Sequence, residues 1–349
     1  MTKRNTTLIS KDSLGEVNIA SVLQPFLLKP ACKDYLWGGK RLEKEFGKNY
    51  GISPLAETWE CSVHPDGVSI IDSGVLKELP LDVAIKKYPS MLGTHPRAIC
   101  GEGELPVLIK LIDAGQAASV QVHPDDEYAR IYENGENGKT EMWYILDAAK
   151  EARLVYGFQQ RMDRETIKKA VNEDCIEKYL QKVPVQKDDV FYIAPGQVHA
   201  IGEGILLAEI QQNSNITYRL YDYKREDQNG NLRELHLDKA LEVANLQRSE
   251  EPHQPMRVLK YQPGCATELL CRCKYFQVER MLINVQSAVG ADMVTVGKES
   301  FVILLCIEGE GELESNNILE IKKGNCVFVP ADCGQLKLKG KMQLLKIRC

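Results

Sequence analysis

The sequence predicts a mainly β fold, a sandwich or a barrel, and three observations carry that expectation. Short runs rich in β-branched and aromatic residues recur along the chain, separated by Gly, Pro, Asn and Asp. Helical periodicity is confined to a few stretches. The carboxy-terminal part echoes a segment of the first half, as a chain with two related β units would.

In chain order, residues 1–24 are polar and weakly patterned and read as an extension. A short helix is expected over Asp82–Tyr88. Strands are expected over Val107–Ile112, Ser119–Val122, Glu141–Leu146 and Leu154–Phe158, then over Val190–Ile193, Ile205–Gln211 and Thr217–Tyr221. Between them, 163–183 has helical spacing. Ile167, Ala170, Val171, Ile176, Tyr179, Leu180 and Val183 share one face, and Asp163 is placed to cap the amino end. This helix interrupts the strands and reads as a small insertion packed on the β unit. A further helix begins near Asp238.

From Phe276 onward the pattern is purely strand-like, through Phe301–Ile307, Gly311–Glu314, Cys326–Val329 and Gln343–Ile347. The segments 188–199 (DDVFYIAPGQVH) and 323–334 (KGNCVFVPADCG) share a turn, a β-branched strand, a Pro and a polar link. Laying Pro195 on Pro330 sets His199 opposite Gly334, so the second copy lacks the histidine of the first. The expected organisation is therefore an extension over 1–24, a catalytic unit over 25–260, and a degenerate second copy over 261–349.

Composition narrows the function. The chain has 349 residues, 44% hydrophobic and 27% charged, with a formal net charge of -5, as in ordinary globular proteins. It has no basic stripe and no block of like charges, so nucleic acid and anionic membrane surfaces are not expected partners. No stretch has the 18 or so apolar residues that a spanning helix needs, and the amino terminus lacks a secretory pattern. The eleven cysteines are odd in number and scattered through apolar runs such as Val302–Cys306. Reduced thiols in a cytoplasmic protein, monomeric or homodimeric, are the expectation.

The chemistry concentrates in three segments. Strand alternation puts Ser119, Gln121 and His123 on one face and Val120 and Val122 on the other. Lys139, Glu141 and Trp143 share a face of a second strand, and His199 follows a Pro195-Gly196 bend. Unpaired polar groups are costly inside a β unit, so these side chains need a ligand, water or a metal. A Gln oxygen, two imidazoles and a carboxylate suit Zn²⁺ with a position left open. Spacing alone does not separate zinc from Fe²⁺ or Mn²⁺, because two His and one carboxylate also describe the oxygenase triad.

Four strings occur in order: Gln121-Val122-His123-Pro124, Lys139-Thr140-Glu141-Met142-Trp143-Tyr144, Pro195-Gly196-Gln197-Val198-His199-Ala200 and Asn213-Ser214-Asn215-Ile216-Thr217-Tyr218-Arg219. Together with Tyr35-Leu36-Trp37-Gly38-Gly39, this pattern resembles the type I phosphomannose isomerases of the cupin superfamily, in particular their short bacterial form. The resemblance spans roughly residues 25–245 and is weak beyond. It implies two cupin (jelly-roll) barrels, the first carrying one Zn²⁺ per chain, and interconversion of mannose 6-phosphate with fructose 6-phosphate. By the same resemblance Gln121, His123, Glu141 and His199 are the metal ligands. Arg219 matches an arginine thought to act near the reacting carbons, Glu209 an acidic residue sometimes assigned as the base, Lys139 a lysine two positions before the ligand Glu, and Lys110 and Ser119 residues associated with the phosphate. Two departures stand out: Ile201 occupies a position where longer members carry Tyr, and the helical insertion is reduced.

The residue types suit that reaction in their own right. An aldose–ketose isomerisation moves a proton between C1 and C2 through an enediolate, so it needs a base near both carbons and a positive group for the oxyanion. Arg219 stays protonated and serves the oxyanion rather than the proton. Glu209, a lysine of lowered pKa or metal-bound water would serve as base, and Glu209 is the preferred choice. Two rival readings are an iron oxygenase on His123, Glu141 and His199, and a non-catalytic sugar-binding cupin.

Overall fold

The structure is a computed structural model and describes residues 19–227, 229–285 and 292–349. Of the extension expected over 1–24, residues 1–18 lie outside the described residues, and Ile19–Val22 forms a short helix. Two antiparallel sheets make the first barrel. One runs Val190–Ile193, Glu141–Ala148, Ile205–Gln212, Val107–Ala114, Glu57–Cys61 and Ala31–Lys33. The other runs Tyr218–Tyr221, Val120–Val122, His199–Ala200, Arg153–Phe158 and Leu180–Pro184.

Val107–Ala114 and Ile205–Gln212 are buried at every position, because both of their faces are covered. Ile109, Leu111, Leu206, Ala208 and Ile210 share one core with Phe276, Phe301, Phe328 and Leu345 of the carboxy-terminal part. The residues that alternate with them turn the other way. Ile112, Ile145, Ile205 and Leu207 meet Leu154, Val183 and Ile201 from the opposite sheet and fill one end of the lumen. The same alternation sends Lys110, Glu141 and Glu209 into that lumen, and with Glu57 they are buried there.

Ten strands form a third sheet. Alternate residues of its long strands Val302–Glu314 and Gly334–Arg348 face either the first barrel or a separate core of Val294, Val296, Leu304, Cys306, Val327, Leu336, Leu338 and Leu344. The second interior is thus apolar where the first holds buried charged side chains. One strand crosses between the units: Phe26–Lys29 pairs with Cys326–Val329, Phe26 opposite Phe328. The rings of Phe26 and Phe301 both stack on Phe328, at 5.3 and 5.4 Å.

The helix expected over 163–183 is shorter. It covers Arg164–Asn172, with the Asp163 carboxylate accepting from Thr166 N at 2.8 Å. Asp174 then takes a left-handed conformation, Ile176–Tyr179 forms a 3₁₀ turn, and Leu180–Pro184 becomes a strand pairing with Arg153–Phe158. The helical spacing was real but spread over three elements that share one core, since Ile167, Ala170, Val171, Ile176 and Leu180 pack in one cluster. Helices over Leu81–Lys87 and Leu237–Val243 fall where expected. Thr94-His95-Pro96, which reads as a turn, opens a helix over Thr94–Cys100.

A buried ion pair fastens the two units. Lys48 Nζ lies 2.7 Å from Glu60 Oε2 and donates to Gly324 O at 2.6 Å, while Thr58 Oγ1 donates to Glu60 Oε1 at 2.7 Å. Lys48→Met would strand the Glu60 carboxylate, which is 0% exposed. The expected loss is about 3–5 kcal/mol in urea unfolding. Pairing it with Glu60→Gln removes the orphaned charge, so the double variant is expected to be the more stable of the two.

Candidate active site

Strand register assembles the site. Gln121 stands opposite His199 on one side and Arg219 on the other, so these side chains share one face of three adjacent strands. In the facing sheet Glu209 stands between Lys110 and Trp143, and Lys110 opposite Trp59. Glu141 opens its strand at the same end. The bend before His199 needs Gly196: its φ is +82°, and a Cβ there would meet Val243 O at 2.9 Å.

His123, Glu141 and His199 offer ligand atoms that all lie within 4.8 Å of one another, a possible metal site. Each imidazole is oriented through its other nitrogen. His123 Nδ1 lies 2.8 Å from Ile216 O, and His199 Nδ1 lies 2.8 Å from Gln197 O. A carbonyl can only accept, so both Nδ1 atoms carry the proton and both Nε2 lone pairs turn inward, the arrangement that metal-bound histidines favour. Those lone pairs face Glu141, with His123 Nε2 3.1 Å from Oε1 and His199 Nε2 3.7 Å from Oε2. Burial holds the His123 imidazole down at about 3, with the Lys139 ammonium adding to the effect, and burial also lowers His199. Both rings are therefore neutral near pH 7. Burial pushes the Glu141 carboxyl up, but the Lys139 ammonium outweighs it and holds it well below the usual range. Two inward-turned imidazole lone pairs and a carboxylate with no aligned hydrogen bond to Oε1 form a donor set that fits a divalent cation. Gln121 approaches from the side, its Nε2 3.5 Å from His199 Nε2.

A cavity of about 260 Å³ opens beside these donors. Ser119, Gln121, Lys139, Lys110, Glu209 and Arg219 all line it, so every sequence-predicted side chain outside the His–Glu–His cluster reaches one space. Lys139 Nζ lies 2.8 Å from Glu141 Oε1 and 3.3 Å from His123 Nε2. Lys110 is only 3% exposed, which rules out an outward-pointing role. Its ammonium is 2.9 Å from Glu209 Oε1, 3.8 Å from Glu57 Oε2 and 5.3 Å from the Trp59 ring centre. Burial would lower Lys110, but Glu209 and Glu57 overcome it and raise it. Glu209 shifts upward, mainly through burial and then through repulsion from Glu141, against the pull of Lys110. Trp143 ties the two centres together, its Nε1 donating to Glu141 Oε2 at 3.1 Å and Glu209 Oε2 at 2.9 Å.

Several cavity residues escape sequence reasoning. Glu57, in the run Glu57-Thr58-Trp59-Glu60, carries a period-two signal that could have found it. Arg233 lies in an irregular segment and carries none. Tyr35 and Trp37 also line the cavity, which brings a phenol hydroxyl to the space that Ile201 shares. His64 forms a turn and packs edge-on against Trp59, and His236 Nδ1 accepts from Arg219 N at 3.2 Å. No helix among the described residues is long and apolar enough to cross a membrane.

Comparison with known proteins points to one family. Residues 26–160 match the model of the phosphomannose isomerase type I catalytic domain, and residues 266–349 that of the mannose-6-phosphate isomerase cupin domain. A mannose-6-phosphate isomerase of Bacillus subtilis is 37% identical over 321 residues, covering 91% of this chain and 96% of the relative. One from Streptococcus mutans is 33% identical and covers 80% of this chain and 90% of the relative. The crystal structure of a mannose 6-phosphate isomerase from Bacillus subtilis superposes with a TM-score of 0.83 at 32% identity, over 93% of this chain and 99% of that one. Structures of phosphomannose isomerase variants from Salmonella typhimurium, with a TM-score of 0.70 at 19% identity in one case, share the fold. With the two cupin barrels, the convergent His–Glu–His donors and relatives matched over nearly their whole length, this chain belongs to the type I mannose-6-phosphate isomerase family and is an isomerase of that class.

Proposed function

We propose that the chain interconverts mannose 6-phosphate and fructose 6-phosphate, using Zn²⁺ held by His123, Glu141, His199 and Gln121, the last with its amide oxygen turned inward. The observation that carries this reading is the pair of Nε2 lone pairs aimed at Glu141, beside a cavity that also holds Glu209 and Arg219. When bound, a zinc ion would supply positive charge for the sugar's carbonyl and hydroxyl oxygens. The remaining steps belong to the protein. The carboxylate of Glu209 takes the C2 proton of the aldose and returns it to C1, while the O2 hydroxyl proton of the enediolate passes to O1. Trp143 and Lys110 fix that carboxylate from two sides. Arg219 balances charge on the enediolate, and Lys139 keeps Glu141 ionised. Lys110 and Ser119 face substrate oxygens from the cavity wall. Catalysis is assigned to 25–260, with 261–349 covering the outer face of that barrel. Eleven free thiols support a cytoplasmic setting.

The test is fructose 6-phosphate formation from mannose 6-phosphate before and after chelation, with Zn²⁺ added back. Activity is expected to vanish with the chelator and return with zinc. A zinc-loaded protein without isomerase activity would overturn the reading; oxygen-dependent turnover with iron, or ligand binding without proton exchange, would then identify the alternative.

A further inference from the structure

The cations of the cavity are not equivalent. Lys139 is matched by Glu141, and Lys110 by Glu209 and Glu57, so the charges nearest the metal donors are already balanced. Around Arg219 the balance is different. Arg219, Arg225 and Arg233 stand near a single buried carboxylate, Asp222. Arg225 takes Asp222 Oδ1 and also donates to Ala117 O at 2.6 Å, which fixes it in the wall. Arg233 has only a long contact, Nη1 to Asp222 Oδ2 at 3.5 Å. Arg219 donates through Nη1 to a neutral carbonyl, Glu234 O, at 2.7 Å, and its buried Nε has no hydrogen-bond partner. Arg219 and Arg233 both line the cavity. Burial, and then the Arg233 charge, hold Arg219 below the ordinary arginine value.

Two guanidinium groups that share one carboxylate with a third, and open on a cavity, suit a dianion. We propose that Arg233 is the phosphate-binding residue of this enzyme, gripping the phosphoryl group at the cavity side away from the metal donors, with Arg219 between it and the reacting carbons. This rests on the isomerase reading above and deepens it. It orients the substrate: the phosphoryl end lies at the arginines and the C1–C2 end lies against Glu209. Lys110, already shared by two carboxylates, would have to leave both to meet a phosphate.

The test compares Arg233→Ala and Arg233→Lys with the parent, all zinc-loaded. KM for mannose 6-phosphate and the calorimetric dissociation constant for inorganic phosphate are measured together. Both are expected to rise about 10- to 100-fold in Arg233→Ala, as for a lost charge-assisted contact. The lysine variant should fall between, with kcat moving by less than about threefold in either. A KM and a phosphate affinity unchanged within about twofold would overturn the proposal. Thermal melting confirms that each variant is folded, and the lysine variant keeps the test open if alanine is not. A parent that binds phosphate through Arg233 yet does not isomerise would sink the isomerase reading and leave the clamp standing. A parent that isomerises with Arg233 indifferent would sink the clamp alone.

Discussion

Changing His199 to glutamine is expected to strip the metal and lower kcat by about a thousandfold or more. Stabilisation of developing charge by a bound cation is worth several kcal/mol, and about 1.36 kcal/mol corresponds to each tenfold in rate. His199 is the donor whose loss is easiest to interpret. Its Nδ1 meets only the carbonyl of Gln197, and its ring touches Trp143 edge-on with centres 5.4 Å apart. Removing it therefore orphans no charge. Glu141→Gln is a poorer probe, because it would leave the buried Lys139 ammonium without its 2.8 Å partner and so destabilise the fold as well as the site. The measurement is metal content by mass spectrometry beside kcat, with urea unfolding of the metal-free forms as the control. Similar unfolding midpoints with lost zinc and lost activity place the effect in the metal centre. A His199→Gln protein that retains one zinc per chain and more than about a tenth of the parent kcat would remove His199 from the ligand set.

The features that sequence revealed best are those that depend on local alternation. Gln121 and His123, and Glu141 and Trp143, share faces because a strand repeats every second residue, and no partner strand is needed to see it. What alternation does not encode is which strand lies alongside. The pairing of Phe26–Lys29 with the carboxy-terminal sheet joins residues 302 positions apart at Phe26 and Phe328, and the apolar pattern of four residues fits many partners equally well. Helical spacing misled at 163–183 for a related reason, since residues from a helix, a 3₁₀ turn and a strand converge on one core. Arg233 was invisible because it sits outside any periodic element and gains meaning only beside Arg219, which the chain brings near through Asp222 and the backbone of Glu234. The charge pattern of the lumen belongs to this second kind. Lys110 and Glu209 are 99 residues apart and each is unremarkable alone, yet register sets them face to face.

That pairing shapes the second large effect, the removal of the base. Glu209→Gln keeps the shape of the side chain and removes its capacity to accept a proton, so kcat is expected to fall about 10²- to 10⁴-fold with KM little changed. Because burial and the nearby Glu141 charge raise the Glu209 carboxyl above 4.5, the parent enzyme loses its base by protonation at a pH above the ordinary glutamate range. The acid limb of kcat/KM is thus expected above that value in the parent and absent from the residual activity of the glutamine variant. The variant also leaves Lys110, 3% exposed, with only the 3.8 Å contact to Glu57. A loss of activity could then arise from a displaced lysine rather than a missing base. Lys110→Met in the same chain separates the two. The double variant relieves the orphaned ammonium, so its stability is expected to recover while its kcat stays low. Solvent-hydrogen incorporation at C1 and C2 follows the proton directly, and should fall in step with kcat. Were Lys139 or metal-bound water the base, Glu209→Gln would keep its exchange and its acid limb, and recovery of kcat in the double variant would assign Glu209 to holding Lys110 in place.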